Sequence, residues 1–140
     1  MVMSRMLAIF TFIIVVLVGH ELFMVSQVER KYPPKGEFVD VETAKLHFLT
    51  RKESSDIESR ENAPIVLIHG SSGSSADMEL AFFEAFHPEI DLYAFDRPGI
   101  GWSETKLHPL EMSDPMKQAE AIHMAVNKLK LRKPIIVGHS

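Results

Sequence analysis

The sequence predicts an α/β fold with a mostly parallel sheet, carried behind an apolar N-terminal helix. Three observations predict it. After residue 62, short β-branched runs alternate with segments of helical periodicity. The first of these runs, APIVLI at 63–68, is almost uninterruptedly apolar, as a strand buried on both faces is. Turns rich in glycine, serine or proline follow the strands, and in open α/β sheets ligands bind beyond the strands' carboxyl ends. The 140 residues amount to one domain. Acidic residues outnumber basic ones 19 to 15, for a net charge of −4. No extended basic run occurs, so nothing here offers nucleic acid the clustered positive face it needs. The absence of cysteine excludes a disulfide scaffold, a zinc–thiolate site and a thiol nucleophile.

The chain opens with residues 6–19, MLAIFTFIIVVLVG, uncharged and with Thr11 as the one clearly polar side chain. Arg5 precedes them. A basic leader before an apolar run is the pattern of a secretory signal or an uncleaved signal-anchor. The uncharged core alone is about 21 Å long as a helix, short of a bilayer's ~30 Å. Beyond His20-Glu21 the apolar character resumes with LFMV, so residues 6–25 reach about 30 Å, enough to span. Leu17-Val18-Gly19 offers one small residue where a cleavage site wants two, which favours an uncleaved anchor. Localisation is then at a membrane, single-pass, or export if the segment is removed. Arg5 on one side and Arg30, Lys31 and Lys35 on the other leave orientation open. The competing reading, a core helix of a soluble protein, lacks any preceding segment to pack against.

Residues 1–28 are thus read as the anchor and 29–36 as a linker around the breakers Tyr32-Pro33-Pro34-Lys35-Gly36. Residues 37–140 form the α/β part. Alternating runs at 37–41 and 45–50, joined through Glu42-Thr43-Ala44, predict a hairpin. The charge-dense stretch 51–62 reads as a solvated loop. A strand at 63–68 leads through the turn 69–75 to a helix at 76–86, with Leu80, Phe83 and Phe86 on its apolar side. A strand at 90–95 leads to the loop 96–103. Ser113-Asp114-Pro115 marks a helix start, with a capping side chain and proline in the first turn. Ala119, Ile122, Val126 and Leu129 form its apolar stripe, and His123 beside that stripe reads as partly buried. A strand at 134–137 comes last. The order is strand, strand, strand, helix, strand, helix, strand.

Three motifs follow predicted strands: His69-Gly70-Ser71, the loop Asp96-Arg97-Pro98-Gly99-Ile100-Gly101-Trp102-Ser103, and Gly138-His139-Ser140. The last matches the first three positions of the nucleophile elbow G-x-S-x-G, in which small flanking residues make room for a sharp turn that exposes the serine hydroxyl. The first lacks the Gly-Lys-Ser/Thr ending of a phosphate-binding loop, and no G-x-G-x-x-G occurs. Together and in this order, the motifs resemble those of the α/β-hydrolase superfamily, over about residues 37–140, the front half of its sheet. The resemblance implies Ser140 as nucleophile and the backbone N–H of Ser71 as oxyanion donor, with Ser72 the next choice. It implies structural roles for Asp96 and Ser103 in the loop after the fourth strand. It also implies an acid and a histidine after the nucleophile in chain order. These 140 residues contain neither at that place, so the chain is expected to be incomplete and inactive alone.

The function expected of the whole protein is serine hydrolysis of an ester or lipid acyl bond, the membrane segment holding the site near lipid. Serine at the elbow, where dehalogenases and epoxide hydrolases carry aspartate, argues against those branches. The alternatives are a non-catalytic binding protein of the same fold, or an inactive truncated product acting as an interaction peptide. No cofactor is expected, and no metal, because the histidines show no H-x-x-x-H or H-E-x-x-H spacing. His69 reads as a hydrogen-bonding residue of its loop rather than a base, and His20, His47, His87 and His108 as scattered. Phe82, Phe83 and Phe86 read as core, and Trp102 as either packing or pocket lining. Oligomeric state is not legible.

Overall fold

The computed structural model describes residues 2–52 and 62–139. The chain divides into two compact units, residues 1–34 and 35–140. The first is one helix, α1 (Val2–Lys31). Within it, Arg5–Lys31 is long and apolar enough to cross a membrane, at 27 residues or about 40 Å. Its apolar side chains are exposed from Met6 to Val28. The helix runs straight through His20 and Glu21 and ends before Pro33-Pro34. Proline disfavours helical backbone in the residue before it and lacks the N–H that would continue the ladder.

The second unit carries a six-stranded sheet. Its elements are β1 (Glu37–Asp40), β2 (Ala44–Arg51), β3 (Ile65–Ile68), α2 (Ser75–Phe82), β4 (Leu92–Phe95), β5 (Glu104–Thr105), α3 (Pro109–Met112), α4 (Pro115–Lys128) and β6 (Ile135–Gly138). The strand order is β1-β2-β4-β3-β6, with β5 on β2. The expected succession of strands and helices is present, with two short additions, β5 and α3. The expectation of a mostly parallel sheet is corrected to a mixed one. β3 pairs parallel with β4 and with β6, but β1–β2, β2–β4 and β2–β5 are antiparallel. The physical reason is the tight connection Val41–Thr43, closed by the Val41 N–H donating to the Ala44 carbonyl at 2.8 Å. It returns β2 antiparallel alongside β1, and β2 in turn pairs antiparallel with β4.

Alternation along β2, β3 and β4 sends side chains to two core layers. Leu46, Phe48, Val66, Tyr93 and Phe95 face the layer with Ala121, Ile122, Ala125 and Val126 of α4. Leu49, Ile65, Leu67, Leu92 and Ala94 face the layer with Met78 of α2 and Phe83 just beyond it. The two helices therefore cover opposite faces. Leu46, Phe48, Val66, Leu67, Leu92 and Phe95 are fully buried, and each contributes about 1.5–3 kcal/mol of burial. The helix stripes are shifted from expectation. Ala119 is exposed and Ala121 and Ala125 are buried in its place, Leu80 is 87% exposed, and His123 is exposed and bonded to Asn127. Phe82, Phe83 and Phe86 do pack in the core as expected. Asp114 caps α4, accepting the Met116 N–H at 2.9 Å with Pro115 next in line.

β6 lies at the edge of the described sheet, with Ile135 and Ile136 more than half exposed. Exposed apolar edges pair with other chains. Residues 36–140 made alone are accordingly expected to self-associate. Size-exclusion chromatography checks this, and a monomer with a sharp unfolding transition above about 50 °C would contradict it.

Candidate active site

From β3 the chain steps to β4 on one side and then, through α4, to β6 on the other. That reversal makes the crevice between the carboxyl ends of β3 and β6 the switch point where open α/β sheets bind ligands. A cavity of about 590 Å³ lies there, lined by Gly70, Ser71, Ser72 and Gly73 after β3, by Asp77, Met78, Ala81 and Phe82 of α2, and by His139 after β6. The His139 N–H donates to the Ile68 carbonyl at 2.9 Å, extending the β3–β6 ladder to the cavity's edge. Ser140 lies outside the described residues.

The turn after β3 is held from beneath by His69, which is 1% exposed. The Arg97 N–H donates to its Nε2 at 3.0 Å, so the ring proton sits on Nδ1 and faces the Gly70 carbonyl at 2.7 Å. Both nitrogens are thereby committed within the loops, and His69 has none free to act as a base. The Gly73 N–H closes the turn onto Gly70 O at 3.3 Å. Ser71 and Ser72 are exposed at its tip, and among the described residues neither N–H has an acceptor. The Ser74 N–H and hydroxyl bond Asp77 at 2.7 and 2.8 Å, holding that carboxyl below the usual carboxylate range.

Under both loops lies a buried pair that sequence reasoning missed. Asp96, 1% exposed, accepts from His47 Nδ1 at 2.8 Å, from the Ser75 N–H at 2.6 Å and from the Trp102 N–H at 3.1 Å. His47 Nε2 donates in turn to the Lys35 carbonyl. With an acceptor on each nitrogen the ring is held as imidazolium. Burial pulls the His47 pKa down, but the bonds to Asp96 and Lys35 outweigh it and the net shift is upward. Burial likewise pushes Asp96 up, and its three donors bring it below the ordinary value. Gly101 makes this approach feasible. Its φ is +60°, and a Cβ there would lie 2.4 Å from the Asp96 carboxylate. The Ser103 hydroxyl donates to the Asp96 carbonyl at 2.8 Å and accepts the His47 N–H at 2.9 Å. Asp96 and Ser103 thus have the loop-fixing geometry expected of them. Trp102 is half-buried and does not line the cavity.

Among the described residues no group of three or more metal-ligating side chains is gathered.

Comparison with known proteins agrees with the geometry. The α/β hydrolase fold family matches residues 63–140, more than half of the chain. A poly(3-hydroxyalkanoate) depolymerase from Ectopseudomonas oleovorans is 39% identical over 44 residues, which is 31% of this chain and 16% of that protein. A CIB-like hydrolase from Thermoplasma acidophilum superposes with a TM-score of 0.58 at 27% identity, covering 76% of this chain and 50% of that one. A bacterial membrane phospholipase A gives a TM-score of 0.58 at 22% identity, covering 98% and 44%. At that identity the likeness shows the fold alone. The chain therefore spans half or less of these relatives. Strand order, two-sided helix cover, a cavity at the switch point and the family match together make this chain a member of the α/β-hydrolase fold family.

Proposed function

We propose that the protein is a serine hydrolase of ester or lipid acyl bonds, held at a membrane by residues 6–25. Residues 1–28 serve as anchor, 29–36 as linker and 37–140 as the nucleophile-bearing part of the hydrolase domain. Ser140 is the nucleophile, and the Ser71 N–H, or next the Ser72 N–H, is an oxyanion donor. The acid and the histidine base come from sequence beyond these 140 residues. The observation that carries the reading is one juxtaposition: the turn 70–73, with its Ser71 and Ser72 N–H groups unengaged among the described residues, and His139, the neighbour of Ser140, line the same cavity.

The reaction is two-step acyl transfer. The Ser140 hydroxyl attacks the carbonyl while the histidine takes its proton, and the alcohol leaves with that proton. Water then releases the acyl group by the same route. Each oxyanion N–H is worth about 3–4 kcal/mol in the transition state. No cofactor takes part. Met78, Ala81 and Phe82 give the cavity an apolar wall suited to an acyl chain. The named activities of the depolymerase and phospholipase relatives are in keeping with an acyl substrate. Serine in place of aspartate at the elbow sets the reading apart from epoxide opening.

The test pairs activity with fractionation. Protein made from its complete reading frame is expected to hydrolyse p-nitrophenyl and phospholipid esters, and to stay in membranes through carbonate extraction. A form starting at Glu29 is expected to be released. Residues 1–140 alone are expected to turn nothing over. Absence of ester hydrolysis from the complete protein would contradict the hydrolase reading, and solubility of both forms would contradict the anchor. Shortening to a soluble form would identify a cleaved signal.

A further inference from the structure

The geometry points to Arg97 as a positioning residue for the oxyanion turn: by holding the Gly70 carbonyl, its guanidinium aims and polarises the Ser71 N–H. The inference rests on the hydrolase reading above and adds a residue to it. Three donors converge on the Gly70 oxygen: His69 Nδ1 at 2.7 Å, the Gly73 N–H at 3.3 Å and Arg97 Nη2 at 3.3 Å. The Gly70–Ser71 peptide is trans. In a trans peptide the C=O and N–H point opposite ways, so fixing one fixes the other. The donors hold the carbonyl edge of this peptide, and the Ser71 N–H leaves from the opposite edge, at a residue that lines the cavity.

Two of the three donors belong to the turn itself. Arg97 comes from the loop after β4, and it grips the turn twice, through Nη2 to Gly70 and through its backbone N–H to His69 Nε2. Among the described residues Gly70 is its one side-chain hydrogen-bond partner, and its buried Nε–H has no acceptor there. A guanidinium is permanently charged, so its bond to the carbonyl is charge-assisted. Bonds in series polarise one another, and a cation on the carbonyl makes the same peptide's N–H a stronger donor. Arg97 thus acts through the peptide, with no contact to the reacting atoms.

The test uses the complete protein in detergent, with Arg97→Gln, Arg97→Lys and the exposed Arg132→Gln as control. Two readouts are needed: ester turnover, and the amide resonance of Ser71 by ¹⁵N–¹H spectroscopy. Thermal unfolding shows that each variant is folded. Removing a whole oxyanion donor costs roughly 10²–10³ in kcat. Misaiming one is expected to lower kcat about tenfold to a hundredfold in Arg97→Gln, with KM moving less than about twofold, since the interaction strengthens only in the transition state. The Ser71 amide is expected to shift upfield as its polarisation falls. Arg97→Lys restores part of both, and Arg132→Gln changes neither. An unchanged kcat overturns the proposal. So does a fall in kcat with the Ser71 resonance unmoved, or a rise in KM alone, which would make Arg97 a substrate-binding group. Should the wild type turn over no ester at all, the hydrolase reading fails, and an unmoved Ser71 resonance in a folded Arg97→Gln would still overturn the hold of Arg97 on the turn.

Discussion

Asp96→Ala is expected to destabilise the α/β unit by about 3–5 kcal/mol, because it strands a buried imidazolium without its counter-charge. The Asp96 and His47 side chains are each 2% exposed and 2.8 Å apart, so water neither screens nor replaces the lost partner. The Ser75 and Trp102 N–H groups lose their acceptor in the same step. The sum is a large share of the 5–15 kcal/mol typical of a domain. It should appear as a fall in Tm of about 12 °C or more. Lys45→Ala removes an exposed pair with Glu104 at 3.4 Å and is expected to cost no more than about 1 kcal/mol. Equal effects of the two substitutions would contradict this account of the pair.

The same pair sets a pH window. The folded pKa of Asp96 is lowered, so its contribution is present above the unfolded value of about 3.9 and is lost as pH falls through the folded value. The folded pKa of His47 is raised, so its contribution is complete below about 6.5 and is lost as pH rises through the folded value. Stability is therefore expected to be greatest between about pH 4 and 6.5. Asp96→Ala should flatten both limbs.

The second large effect is on chemistry. Ser140→Ala in the complete protein is expected to lower kcat by up to about 10⁶, since removing a nucleophile disables its base as well. Stability should change little, because the substitution deletes one hydroxyl. A residual rate of about 10³–10⁴ over water is expected from the oxyanion N–H groups and binding alone. Near-wild-type turnover would mean that another group attacks the ester.

Much of this was readable from the sequence, and what was missed has physical causes. The run 63–68 and the caps at Asp114-Pro115 announce their elements because burial and missing N–H groups act locally. The phase of a helix stripe is less local. Ala119 and Leu80 satisfy a helical spacing as well as Ala121 and Met78 do, and only the position of the facing sheet decides which turn inward. β5 has two residues and α3 four, too few for any period to register. The sheet is mixed because the hairpin, itself legible, joins the parallel strands through an antiparallel β2–β4 pairing, whose direction no local pattern sets. The His47–Asp96 pair was invisible for a stronger reason. Its members lie 49 positions apart and meet because β2 pairs with β4. In the sequence His47 is one of several polar residues, with Lys45 and Thr50, in an alternating strand. Its one available hint was that position, between Leu46 and Phe48, where a histidine needs partners for both nitrogens. The turn 69–73 and the loop 96–103 were legible as motifs because glycine there answers a steric demand, shown by Gly101 against the Asp96 carboxylate.

The most direct measurement of the central claim is the site of covalent capture by a fluorophosphonate. Such a probe reacts with a serine activated by a base and placed beside oxyanion donors. Complete protein in detergent is treated with the probe, digested, and the peptide carrying Gly138-His139-Ser140 is sequenced by mass spectrometry. One stoichiometric adduct on Ser140 is expected, absent from Ser140→Ala and from residues 1–140 alone. Labelling of a different serine, or an unlabelled Ser140 in protein that hydrolyses esters, would contradict it.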